Sequence, residues 1–223
     1  MAPLLGIGAA LVGVLWLLDE WLIEGETPWL DEIGLAWATE QRSPETVALA
    51  RVLTHLGDLW VVMIIVALLV WLARRRSGRW DSAELVITVI GGVLVITTIA
   101  KLLTARLRPD VAITETVSLA FPSGHASRAA VVYAMVAWLA VKWAKHPVTR
   151  HVVAVLALAM TLATAWSRVL LGAHWPTDVL AGMTLGAIWL AVVVTLTRPV
   201  PAPVGADQSA DADEEVTGSH RSR

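Results

Sequence analysis

Six long apolar runs constrain this chain more than any other feature, at residues 4–23, 59–73, 85–100, 126–144, 152–166 and 179–197. Crossing a bilayer takes about 20 apolar residues in a helix. The shorter runs reach that length only with flanking Trp and Thr. One such run alone could be a buried helix of a soluble protein. Six of them in 223 residues leave too little polar surface for that. Composition agrees: 57% of residues are hydrophobic and 16% charged, with a mean hydropathy of +0.67. Soluble domains carry roughly 45–50% and about 25%. The expectation is an all-α, polytopic membrane protein with six transmembrane helices, residues 1–197 forming one domain.

Basic residues in short loops orient such a protein. Arg74, Arg75, Arg76 and Arg79 follow the second run, and Lys142, Lys145 and Arg150 follow the fourth. Both loops read as cytoplasmic, which puts both termini on that side. Residues 19–58, 101–121 and 167–178 then face outward. Trp29, Ile33 and Trp37 recur at helical spacing among Asp31, Glu32 and Glu40, as in a helix lying in the interface. A plain connector and a lid over a lipid entrance are both open readings of that segment. Ser43-Pro44-Glu45 has the pattern of an N-cap with Pro at the first helical position. Twelve tryptophans against one Phe and one Tyr suit an interfacial belt; Trp60, Trp71, Trp143, Trp166 and Trp175 lie near run ends. Gly182-x-x-x-Gly186 reads as helix packing. Residues 1–23 lack the basic start and cleavage site of a signal peptide and read as a membrane helix. Residues 198–223, rich in Pro, Ala, Asp and Glu, read as a disordered tail.

Net charge is −2, so no basic field points to nucleic acid. There is no cysteine, which removes disulfides and thiolate chemistry. What remains is a set of polar clusters at the outward ends of the runs. Lys101 is followed by Arg108-Pro109. Pro122-Ser123-Gly124-His125 opens the fourth run. Ser167-Arg168 leads to His174 and Asp178 before the sixth.

Lys101, Arg108 and Arg168 would repel one another at a membrane surface unless an anion lay between them. Phosphate suits them, because Arg forks onto its oxygens and Lys adds a point charge. Ser123 and Gly124 start a helix, where free backbone N–H groups favour an anion. His174 and Asp178, four apart, share a helix face, and a carboxylate on one ring nitrogen raises the basicity of the other. His125 would protonate the departing oxygen. Taken singly, each has a bland reading as an interface anchor, a structural histidine or a turn. Eleven residues in order at fixed spacings make chance agreement remote, at about 5% usage each.

These three clusters resemble the three-part signature of the type 2 phosphatidic acid phosphatase superfamily. No signature position departs from it. The resemblance implies a metal-independent, cofactor-free lipid phosphatase. In it His174 attacks phosphorus to form a phospho-histidine, Asp178 supports it, and His125 is the acid. Lys101, Arg108, Ser123, Gly124 and Arg168 would hold the phosphate. Arg106 and Arg128 are candidates for a second phosphate or for surface anchoring. An outward site in a bacterial cell membrane favours undecaprenyl diphosphate, then phosphatidylglycerol phosphate or phosphatidic acid. A lipid phosphotransferase on the same scaffold and a non-catalytic anionic-lipid binder or transporter are the alternatives. A haloperoxidase is a further one, disfavoured because those relatives are soluble. Nothing in the sequence sets an oligomeric state.

Overall fold

The computed structural model describes residues 29–77, 81–114 and 118–197. Its elements are α1 (Trp29–Glu40), α2 (Pro44–Leu53), a 3-10 turn (Thr54–Gly57), α3 (Leu59–Ser77), α4 (Asp81–Thr104), α5 (Gly124–Trp143), α6 (Pro147–Leu170) and α7 (Pro176–Leu196). No strand occurs among the described residues. Among the described residues, four helices are long and apolar enough to cross a membrane: most of α4, then α5, α6 and α7. A fifth span exists if Pro44–Gly57 and Leu59–Arg76, bent by 44°, count as one. The run at 4–23 and the tail at 198–223 lie outside the described residues.

The bent pair is where the structure differs from the sequence expectation. Residues 59–73 were expected to span alone. Instead α2 and the 3-10 turn lead into α3, and Glu45, Arg51 and His55 in them hid this segment from an apolar-run reading. The start of α2 follows the expected chemistry. Ser43 is the N-cap and Pro44 the first helical residue. Ser43 Oγ accepts from Thr46 N at 3.2 Å, and Thr46 Oγ1 accepts from Ser43 N at 2.8 Å.

Helix α5 is the central element, packed most extensively on α6 and α7 and also on α3 and α4. Val62, Val86, Val93, Val131 and Met135 are fully buried around it. Outward faces carry Ile64, Leu68, Val95, Leu158 and Leu162, all half or more exposed. Such apolar exposure suits hydrocarbon surroundings, not water. Two features bear on orientation. Arg76 Nη1 donates to Trp143 O at 3.4 Å, and its guanidinium lies 5.4 Å from the Trp143 ring centroid. The two basic loops therefore meet at one end of the bundle, while residues 101, 125 and 174 gather at the other.

Helix α1 does not float free of the bundle. Asp31 is fully buried, and its Oδ1 accepts from Thr177 N at 2.8 Å and its Oδ2 from Thr177 Oγ1 at 2.7 Å. Arg106 Nη2 adds a bond to Asp31 Oδ2 at 2.6 Å. Trp29, Ile33 and Trp37 lie on exposed faces of the same helix. The carboxylate satisfies a first-turn N–H of α7 that no residue of α7 itself reaches.

The Gly182/Gly186 pair is a packing device. A Cβ at Gly182 would lie 2.6 Å from Ser123 O, and one at Gly186 would lie 2.6 Å from Ser127 O. Both obstacles are backbone, so neither can turn aside. Replacing Gly186 with Val should push α7 off α5 and cost roughly 1–3 kcal/mol, read as a lower thermal midpoint in detergent. An unchanged midpoint would remove the close-packing role.

Candidate active site

The loop after α4 is shaped by its backbone. Ala105 has a φ of +49°, a left-handed conformation that turns the chain sharply at the helix end. Ala120 N then donates to Arg106 O at 2.8 Å, and Thr104 Oγ1 to Phe121 O at 3.0 Å, closing the loop on itself. Lys101, in the last turn of α4, points its Nζ at the carbonyls of Leu119 and Ala120. Arg108 donates from Nε to Ser118 O at 2.6 Å, from Nη2 to Ser118 Oγ at 2.8 Å, and from Nη1 to Ala173 O. One cation thus binds within its own loop, and the other reaches the residue before His174.

The second cluster is joined to the third by main chain. Ser123 N donates to Asp178 O at 2.9 Å. Ser123 caps α5, with its Oγ 3.5 Å from Ala126 N. A Cβ at Gly124 would stand 3.1 Å from Arg128 Nη1, so glycine keeps the opening of α5 clear. The third cluster begins in the last turn of α6. Gly172, at φ +64°, makes the left-handed turn that glycine favours and reverses the chain toward α7. Ala173 N and His174 N both donate to Arg168 O, at 3.0 and 3.3 Å.

His174 is 1% exposed and Asp178 is fully buried. His174 Nδ1 faces Asp178 Oδ2 at 3.4 Å, which leaves Nε2 free of the carboxylate. Asp178 Oδ2 also accepts from Trp175 N at 3.0 Å, and Oδ1 accepts from Arg106 Nη1 at 2.7 Å. Burial, with Arg108, Arg168 and Lys101 acting in the same direction, holds the His174 imidazole well below its ordinary pKa range. The ring is neutral at physiological pH. Burial also lowers the Arg108 pKa, opposed by the Asp178 charge.

Arg168 is 3% exposed. Its Nη1 donates to Thr54 Oγ1 at 2.7 Å, and its Nε is buried with no hydrogen-bond partner among the described residues. An unpaired buried donor of that kind costs about 1–3 kcal/mol or more. It fits a site whose acceptor is a bound anion.

Of the eight expected core residues, Lys101, Arg108, Arg168, His174 and Asp178 lie within charge range of one another, His125 lies near Arg168, Ser123 is bonded to Asp178, and Gly124 follows it at the start of α5. Arg106 is placed differently from the second-phosphate contact offered by the sequence. Its guanidinium is buried against Asp31, Asp178 and Thr177 and lies 5.3 Å from the Trp175 ring centroid. Two carboxylates share its charge, one of them Asp178 beside His174. Arg128 lies beside Gly124, with Nε donating to Gly57 O at 3.0 Å and Nη2 at 3.4 Å from His125 Nδ1.

Sequence reasoning missed Asp31, Thr54, Asp58 and Thr177. Asp58 Oδ1 accepts from His125 Nε2 at 2.8 Å, and Oδ2 from His55 Nδ1 at 2.7 Å and from Trp60 Nε1 at 3.1 Å. A signal existed: His55 and Asp58 sit three apart just before an apolar run.

Comparison with known proteins bears on the family and the fold. No curated protein sequence matches the chain. Among solved structures it resembles the transmembrane PAP2-type phosphatidylglycerolphosphate phosphatase of Bacillus subtilis. That match has a TM-score of 0.76 and 26% identity, over 85% of this chain and 94% of that one. It shares its fold with LpxE of Aquifex aeolicus, with a TM-score of 0.54 and 17% identity over 72% and 92% of the two chains. Residues 82–200, more than half of the chain, match the PAP2 superfamily. All three signature clusters lie inside that stretch, and the chain belongs to the PAP2 superfamily.

Proposed function

We propose that this chain is a metal-independent phosphatase that hydrolyses the phosphomonoester or diphosphate of a membrane lipid through a phospho-histidine on His174. The observation that carries the reading is Arg168. Its Nε is a buried donor without a protein acceptor, next to a neutral His174 that two further cations surround.

The steps follow from the side chains. The lone pair of His174 Nε2 attacks phosphorus while Asp178 holds Nδ1–H. The bond from phosphorus to the leaving oxygen breaks, its electron pair stays on that oxygen, and His125 supplies a proton to it. Lys101, Arg108, Arg168 and the N–H groups at the start of α5 balance charge on the equatorial oxygens. Such stabilisation is commonly the largest contribution in phosphoryl transfer. Water then gives a proton to His125 and attacks phosphorus. The P–N bond breaks and its electron pair returns to His174. Among the described residues no group of three His, Asp or Glu is placed to hold a metal ion.

The site is assigned to the outer face of the cell membrane and both termini to the cytoplasm. Support comes from the meeting of Arg76 with Trp143 at the opposite end. Undecaprenyl diphosphate stands first among substrates on that topology. Phosphatidylglycerol phosphate stands beside it, the substrate class named for the Bacillus subtilis structure at 26% identity.

Purified protein should release phosphate from these lipids, and His174→Ala should abolish release while leaving the fold intact. Asp178→Asn should lower kcat by roughly 10²- to 10⁴-fold. Full turnover in His174→Ala would overturn the mechanism. Excess EDTA should leave the rate unchanged, and loss of turnover on chelation would overturn metal independence. The His174 ring should give the ¹⁵N signals of a neutral imidazole at about pH 6, where a free histidine with a pKa of roughly 6.5 is mostly charged. The direction follows from a lowered pKa, which keeps the proton off the ring until the pH falls well below that value. Signals of a charged ring at that pH would contradict the buried, cation-ringed site.

A further inference from the structure

The three signature clusters leave one side of His125 unaccounted for. That side is covered by the turn between α2 and α3, which belongs to none of them. The turn is fixed to α5 at consecutive residues. Tyr133 Oη donates to Leu56 O at 2.9 Å, and Arg128 Nε donates to Gly57 O at 3.0 Å. Gly57 sits so close that a Cβ there would meet His125 O at 2.9 Å and His125 Cβ at 3.0 Å. Asp58 follows, with Oδ1 on His125 Nε2 at 2.8 Å. Its second oxygen is held by His55 and Trp60. Such a doubly held carboxylate has little rotational freedom left.

A histidine that gives a proton to a leaving oxygen must first be an imidazolium. The surroundings of His125 oppose that. Arg128 Nη2 lies 3.4 Å from its Nδ1, and Arg168 is a second cation close enough to act on the ring. Among the described residues, Asp58 is the carboxylate in hydrogen-bond contact with the ring. A carboxylate on one nitrogen fixes the ring and stabilises its charged form, leaving the other nitrogen to transfer the proton. Asp178 likewise stands at one nitrogen of His174, 3.4 Å from Nδ1, there with a neutral ring.

We propose that Asp58 is the positioning residue for proton transfer: it holds His125 through Nε2 and stabilises the imidazolium, so that Nδ1 carries the proton given to the leaving oxygen. This rests on the reading of His125 as general acid. In the first step the P–O bond breaks, and the proton moves from Nδ1 to the lipid oxygen, producing the alcohol and a neutral His125 whose Nε2–H stays on Asp58. In the second step Nδ1 takes a proton from the attacking water, which restores the imidazolium.

The test uses leaving groups of different basicity. An alkoxide needs the acid; a nitrophenolate leaves without it. Full-length protein in detergent, in excess over substrate, would be followed through a single turnover, so that leaving-group release reads the first step alone, on an alkyl phosphate and on a nitrophenyl phosphate carrying the same chain. Asp58→Asn, nearly isosteric, should lower that single-turnover rate on the alkyl ester by about 10²-fold, with substrate binding within about twofold and the nitrophenyl ester within about threefold. His125→Ala should show the same selectivity, and His174→Ala should lose both esters. Equal loss on both esters in Asp58→Asn, with selective loss in His125→Ala, would overturn the role of Asp58 and leave the general acid standing. No selectivity in His125→Ala would overturn the general acid and this inference together. An unchanged alkyl rate in Asp58→Asn would overturn the inference alone.

Discussion

Arg106 joins two fully buried carboxylates, Asp31 on α1 and Asp178 on α7, through bonds of 2.6 and 2.7 Å. Buried charges survive in an apolar bundle only when paired and hydrogen-bonded. Here every arm of the pair has a second task. Asp178 caps Trp175 N and orients His174, Asp31 caps Thr177, and Arg106 O accepts from Ala120. Removing one partner of such a pair typically costs about 3–5 kcal/mol, since the other is left charged and alone. The alignment of the reactive ring, the start of α7 and the seat of α1 therefore stand or fall together.

The local parts of this arrangement were readable in the sequence, because each cluster is short and its spacing maps directly onto a helix end. The last turn of α4 carries Lys101, the first of α5 carries Gly124 and His125, and the first of α7 carries Asp178, while His174 stands in the bend before α7 and not on the helix face that the four-residue spacing suggests. The apolar runs marked α3 to α7 within a few residues. Contacts between distant segments were not readable. Asp58 and His125 are 67 residues apart, Asp31 and Arg106 are 75 apart, and no local pattern announces either pair. The role of Arg106 was missed for the same reason. A basic residue beside a phosphate motif reads as one more phosphate contact until its carboxylates are known. The helical segment beginning at Pro44 was hidden because the exposed Glu45, Arg51 and His55 interrupt its apolar residues.

The two histidines have matching surroundings. Each has one nitrogen on a carboxylate, each lies beside arginine, and each carboxylate is held in place by further donors. They differ in access. His174 is sealed, while part of His125 is open. For the nucleophile proposed at His174, dryness strengthens every charge interaction around it. The proton donor proposed at His125 needs contact with the leaving oxygen and with incoming water.

The 44° break between Pro44–Gly57 and Leu59–Arg76 has a mechanical meaning. Interrupted backbone at membrane depth is tolerated where protein groups replace the lost helical bonds. Tyr133 and Arg128 do so for two successive carbonyls. Straightening the rod would strip both carbonyls of their donors and rotate the acidic corner away from α5. The kink thus works as a rigid elbow, with its stiffness set by the side chains of a neighbouring helix.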